Sequence, residues 1–155
     1  MTETDRPSWI VRIPTPIWLI GLVIVALVVD VPLQSPALLQ HRRTGIVLIV
    51  LGVALSAWGR LTFSRRGAEI FPSSDVHSTL VASGPFKLTR NPMYLGIVVI
   101  GIGAALTAGT WLMWLVPAVV FLLDQLVIIP FEERSMERAY GDAYRAYKAR
   151  VRRWL

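Results

Sequence analysis

Residues 92–133 read PMYLGIVVIGIGAALTAGTWLMWLVPAVVFLLDQLVIIPFEE, and the reading of this stretch decides the fold. It holds two apolar runs, 92–108 and 110–131, separated by little more than Gly109. The hydrocarbon core of a bilayer, roughly 30 Å thick, is crossed by about 17–25 helical residues. Both runs reach that length, the first only just. So short a joint makes the two helices an antiparallel hairpin. The hairpin then returns Glu132 and Glu133 to the side where Arg90-Asn91-Pro92-Met93-Tyr94 enters.

Two further apolar runs, 13–33 and 44–63, precede the hairpin. The first follows Arg12, as a secretory signal would. No small-residue cleavage site follows it and three more runs do, so it reads as a retained helix. Hydrophobic residues make up 54% of the chain and charged ones only 17%, against about 45–50% and about 25% in soluble domains. With 155 residues the expectation is one membrane-embedded domain: two N-terminal spans over 1–63 and a core over 64–155. The fold class is an all-α integral membrane protein with about four transmembrane helices. Cysteine is absent, which excludes disulfides, thiolate metal sites and cysteine nucleophiles.

Four spans put the N-terminus, the 64–91 loop and the C-terminus on one side. Thirteen of the 16 Lys and Arg fall there, Arg42 and Arg43 fall opposite, and Arg60 lies inside the second run. That bias predicts a cytoplasmic face for the loop and both termini, in the cell (inner) membrane. Topology accounts for the net charge of +6, and nucleic acid is not needed as a partner.

The loop, SRRGAEIFPSSDVHSTLVASGPFKLTRN, is much longer than the about 2–8 residues that usually join neighbouring helices. Its apolar Leu80, Val81, Phe86 and Leu88 suit an ordered, site-forming path better than a linker. Beyond residue 133 the tail reads as a helix. At about 100° per residue, Arg134, Arg138, Arg145 and Arg152 share one face, while Met136, Tyr140, Tyr144, Tyr147 and Val151 share the other. Such a helix either lies along an anionic bilayer surface or closes over a pocket. Gly141 is a candidate break.

Within the spans, Asp124 and Arg60 both sit in the inner half of the bilayer and are expected to pair, either as a structural ion pair or in an acceptor pocket. Gly101-Ile102-Gly103 lacks the preceding strand of a nucleotide-binding turn; Gly101, Ala105 and Gly109 instead follow a small-xxx-small packing pattern. His41 and His77 have no partners at ligand spacing, so no metal site is expected. A transporter is disfavoured by the few intramembrane charges and the lack of a repeat.

Several short motifs occur in order: Leu80-Val81-x-Ser83-Gly84-Pro85-Phe86, Arg90-Asn91-Pro92-Met93-Tyr94-x-Gly96, Glu132-Glu133-x-x-Met136, Tyr140-Gly141-x-x-Tyr144-x-x-Tyr147 and the closing Val151 to Trp154. In this order and spacing the chain resembles the isoprenylcysteine carboxyl methyltransferase family and, more distantly, the phospholipid methyltransferases, over roughly residues 67–155. The resemblance implies an S-adenosylmethionine site at Thr79, Leu80, Val81, Phe86, Asn91, Pro92, Met93, Tyr94 and Glu132. Asp124 and Glu133 are candidate acceptor-side residues, and no catalytic base is assigned. Two positions depart from the family: Ser78 stands where it has histidine, and Ile128 where an arginine binds the prenylcysteine carboxylate. The acceptor is therefore expected to be a lipophilic carboxylate, alcohol or thiol, prenylcysteine-like or not. The alternatives are a phospholipid N-methyltransferase and a non-catalytic membrane scaffold.

Overall fold

Prolines and glycines set the ends of the helices. The computed structural model describes residues 9–34, 36–65 and 80–155, and these are helical apart from turns and one isolated bridge, Ala37 to Thr110. A single turn, α1 (Trp9–Arg12), precedes α2 (Thr15–Leu33), whose first turn carries Pro16 and whose end is closed by Gln34 in the left-handed region. Proline suits a first turn because its missing N–H would have had no intrahelical partner. Next come α3 (Arg42–Ser64), a 3₁₀ turn (Gly84–Lys87) and α4 (Pro92–Ala108), which starts on Pro92 and stops at Gly109, φ 80°. The hairpin's return arm is α5 (Trp111–Leu123), a π turn (Asp124–Ile128) and α6 (Ile129–Arg150).

The apolar runs became helices within about two residues of their expected ends. The last run behaves differently. It continues without a stop into the tail helix, so hairpin and tail form one rod that breaks only at Gly141, φ 50° and ψ −123°. Among the described residues three helices are long and apolar enough to cross a membrane, Thr15–Leu33, Arg42–Ser64 and Trp111–Arg150; α4 is apolar but shorter, with 17 residues.

A core of Leu19, Ala26, Ile97, Val98, Ala105, Met113, Val116 and Val120 joins α2, α4 and α5. The outer faces are also apolar: Ile17, Ile24 and Val28 on α2, and Val47, Val50 and Leu61 on α3, are exposed. Helices apolar on every side belong in a large core or a bilayer.

Glycine lets α3 and α4 approach backbone to backbone. Gly45 and Gly52 of α3 face Gly103 and Gly96 of α4; a Cβ on Gly52 would lie 2.5 Å from the Gly96 carbonyl oxygen, and one on Gly45 2.6 Å from that of Gly103. Gly101, from the expected small-residue pattern, faces Pro117 of α5 instead. Ala105 is fully buried, and Gly109 serves as the left-handed cap of α4.

The expected pairing of Arg60 with Asp124 does not form. Arg60 is on an exposed face of α3, while Asp124 faces α2 and accepts a hydrogen bond from Thr15 Oγ1 at 3.0 Å. The reason is the order of the helices: α3 packs on α4, and α5 packs between α4 and α2.

Candidate active site

The mouth of the hairpin is built from residues on either side of the spans. Asn91 precedes α4 with non-helical backbone (φ −129°, ψ 55°), and Pro92, fully buried, fixes the entry. One turn on, the Tyr94 hydroxyl donates to Glu132 Oε1 at 2.5 Å. This bond joins the two ends of the hairpin, as the sequence requires.

Glu132 and Glu133, though adjacent, do different things. Both oxygens of the buried Glu133 carboxylate hold cations: Arg90 Nη2 at 3.0 Å from Oε1, Arg153 Nη2 at 2.7 Å from Oε2, and Lys148 Nζ at 3.9 Å from Oε2. Among the described residues Glu132 meets only the Tyr94 phenol and no cation. The π turn helps to aim them. The Ile129 N–H reaches back to the Asp124 carbonyl, and Pro130 has no N–H with which to continue an α-helical ladder. A π turn carries one extra residue, about 100° of helix. It therefore sets Glu132 on the Asp124 face, where seven α-helical residues would have put it. Asp124 lies within electrostatic reach of both Glu132 and Tyr94.

The last residues of the chain close the mouth. The Arg152 carbonyl accepts the Arg90 N–H at 2.9 Å, and the Arg153 carbonyl accepts Thr89 Oγ1 at 2.9 Å and Asn91 Nδ2 at 3.0 Å. Trp154 Nε1 donates to Gln125 Oε1 at 2.8 Å, and its ring lies 5.0 Å from that of Phe121. In the tail helix, the aromatic face turns inward onto the loop. Tyr144 and Tyr147 are buried, and the Tyr147 hydroxyl donates to the Phe86 carbonyl at 2.7 Å, while Arg134, Arg138, Arg145 and Arg152 are exposed. These tyrosines lie beyond the apolar stretch, which ends at Phe131. Burial pushes each phenol up to about 12, so both remain protonated donors.

Of the residues singled out in the sequence, Asn91, Pro92, Met93, Tyr94 and Glu132 gather at the mouth. Val81 and Phe86 form a small buried cluster with Phe63, Leu80 is half-buried, and Leu88 is exposed. Thr79, like His77 and Ser78, lies outside the described residues. Sequence reasoning passed over Thr89, Thr15, Gln125 and Arg153 as parts of the site. For Arg153 the closing motif was a signal; the others are single polar residues whose partners lie far along the chain.

The clasp gives a stability prediction. Arg153→Ala removes both bonds to the Glu133 carboxylate and should cost on the order of 2 kcal/mol, lowering the thermal midpoint in detergent by about 4–8 °C. Arg153→Lys keeps the charge without the planar fork and should fall between. Differential scanning fluorimetry checks both.

No solved structure matches the chain. A 63-residue stretch, 41% of this chain, is 40% identical to the full length of an uncharacterised Haemophilus influenzae protein. Protein-S-isoprenylcysteine O-methyltransferase B of Arabidopsis thaliana is 27% identical over 120 residues, 75% of this chain; the chain spans 61% of that relative. The phospholipid methyltransferase family model matches residues 41–143, which include α3, α4 and α5, the 3₁₀ turn, Tyr94 and both glutamates. With well over half of its length matched, the chain belongs to the phospholipid methyltransferase family.

Proposed function

We propose that this chain is an S-adenosylmethionine-dependent methyltransferase embedded in the cell (inner) membrane, acting on a lipophilic acceptor that enters from the bilayer. The observation that carries the reading is Glu132: a carboxylate at the mouth of the hairpin, held by the neutral Tyr94 phenol and left without a cation among the described residues. Such a group suits a sulfonium or ammonium, and the surrounding apolar side chains strengthen the attraction by lowering the local dielectric.

The other residues fit the donor as well. Leu80, Val81 and Phe86 offer apolar and aromatic walls for an adenine, with Thr79 just before them in the chain. Asn91 and Glu132 offer acceptors for ribose hydroxyls or an amino group. Pro92 and Met93 hold the start of α4, where Ser56 Oγ donates to the Met93 carbonyl at 3.0 Å. When bound, the donor supplies an activated methyl group. The protein's part is to orient it, exclude water and hold the acceptor in line. Glu133, engaged by three cations, serves as the clamp that fixes the mouth.

In this reading α2, α3, α4 and the apolar part of the α5–α6 rod all cross the bilayer. The 17 residues of α4 span about 25 Å, at the lower end of what a bilayer needs. The bias of Lys and Arg supports cytoplasmic termini and, with them, a mouth on the cytoplasmic side. The partners are the bilayer and a lipophilic carboxylate, alcohol or thiol, with a phospholipid amine as the alternative.

The test is methyl transfer by purified protein in vesicles made from bacterial lipid extract, with the donor labelled in its methyl group. The expected result is protein-dependent label in the lipid fraction. Base-labile label marks a methyl ester, and base-stable label an amine, alcohol or thiol product. Folded protein that transfers no label supports the non-catalytic scaffold instead.

A further inference from the structure

Asp124 is a buried acidic group to which donor binding gives no task. It is fully buried, at 0% exposure, in the π turn of the return arm. Thr15 holds Oδ1 at 3.0 Å, and Oδ2 has no hydrogen-bond partner among the described residues. Nearly all buried polar atoms in proteins find a partner, and the exceptions collect at functional sites. π turns inside α-helices collect there too. Here the turn brings Asp124 onto the face of Glu132 and within electrostatic reach of it and of Tyr94.

The charges nearby are as informative. Arg90, Arg153 and Lys148 are all drawn to Glu133. One helical turn before Glu132 stands Ile128, apolar and only 4% exposed. An anionic acceptor placed between Asp124 and Glu132 would meet two carboxylates and, among the described residues, no cationic side chain that is not already held by Glu133. An acceptor that brings a proton and no negative charge meets a group able to take that proton.

We infer that Asp124 is the acceptor-side proton acceptor of this site, and that the methyl acceptor is a lipid amine, alcohol or thiol rather than a carboxylate. This rests on the methyltransferase reading above. In the step, a lone pair of the acceptor heteroatom forms a bond to the methyl carbon of the sulfonium donor. The carbon–sulfur bond breaks with its electron pair staying on sulfur, and the heteroatom's proton passes to Asp124 Oδ2. Thr15, bonded to the other oxygen, is a positioning residue that fixes the carboxylate's rotation.

The experiment uses the full chain in vesicles, methyl-labelled S-adenosylmethionine, and four lipid probes of equal chain length bearing an amine, an alcohol, a thiol or a carboxylate. Donor binding is measured alongside by calorimetry. The wild type should label at least one of the three proton-bearing probes and leave the carboxylate unlabelled. Asp124→Asn should bind donor within threefold of the wild type and transfer at least a hundredfold more slowly. Thr15→Val should lower kcat about tenfold with donor affinity and acceptor KM unchanged, a split that loss of packing alone would not give. Should Asp124→Asn fail to fold, Thr15→Val carries the test, and wild-type kcat in that variant overturns the proposal. Preferential labelling of the carboxylate, label in none of the proton-bearing probes, or transfer by Asp124→Asn within threefold of the wild type also overturns it. Absence of donor binding by the wild type sinks the methyltransferase reading as well, so the two failures are distinguishable.

Discussion

Glu132→Gln should weaken S-adenosylmethionine binding by about a hundredfold, close to 3 kcal/mol, while the thermal midpoint moves by no more than about 2 °C. The substitution keeps the size of the side chain and an oxygen that can accept the Tyr94 hydroxyl, which now sits at 2.5 Å. What it removes is the charge. A cation about 4 Å from a carboxylate gains about 4 kcal/mol at an effective dielectric of about 20, so the charge accounts for a loss of this size. Tyr94→Phe makes the opposite cut: it removes the hydrogen bond and leaves the charge. It should cost only about tenfold, through a less well-oriented carboxylate. Calorimetric titration of the two variants separates the contributions. Equal losses would mean that Glu132 acts only as a structural partner of Tyr94.

The second large effect concerns the fold. Gly96→Val should destabilise the protein by about 3 kcal/mol or more and sharply reduce the folded yield. A Cβ at Gly96 meets the Gly52 carbonyl oxygen at 2.5 Å and the Ser56 backbone nitrogen at 2.9 Å. Both are backbone atoms of α3, so relief requires the helices to separate, and α4 carries Tyr94 and the entry to the mouth. Gly59→Ala should be milder, because its nearest neighbour is the flexible Met93 side chain, at 2.9 Å. Gly21→Ala meets nothing within 4 Å and should be neutral or slightly stabilising. Size-exclusion profiles and thermal midpoints of the three variants check this order.

Much of the architecture was legible because bilayer-length apolar runs are a strong signal. The single-glycine joint at Gly109 fixed the hairpin, and with it the meeting of Tyr94 and Glu132. Tail periodicity correctly separated Arg134, Arg138, Arg145 and Arg152 from Tyr144 and Tyr147. What periodicity could not show is which partner a face meets. Asp124 looked like a match for Arg60 by depth alone, yet helix order gave it Thr15. The glycines of α3, at 45, 52 and 59, were visible as residues, but their opposition to Gly96 and Gly103 depends on the register between two helices. The π turn escaped notice because nothing in DQLVIIP breaks an apolar helical pattern except Pro130, which also suits a first turn. Part of the clasp runs through the Arg152 and Arg153 backbone carbonyls, which carry no side-chain signature.

The mouth formed by Glu132, Tyr94 and the 80–91 segment is proposed to hold a sulfonium methyl donor. The most direct measurement is equilibrium binding of S-adenosylmethionine to the purified full chain in lipid nanodiscs. Saturable binding in the micromolar range is expected, lost in Glu132→Ala and retained in Gly21→Ala. Folded protein that binds no donor in nanodiscs or in several detergents would contradict it.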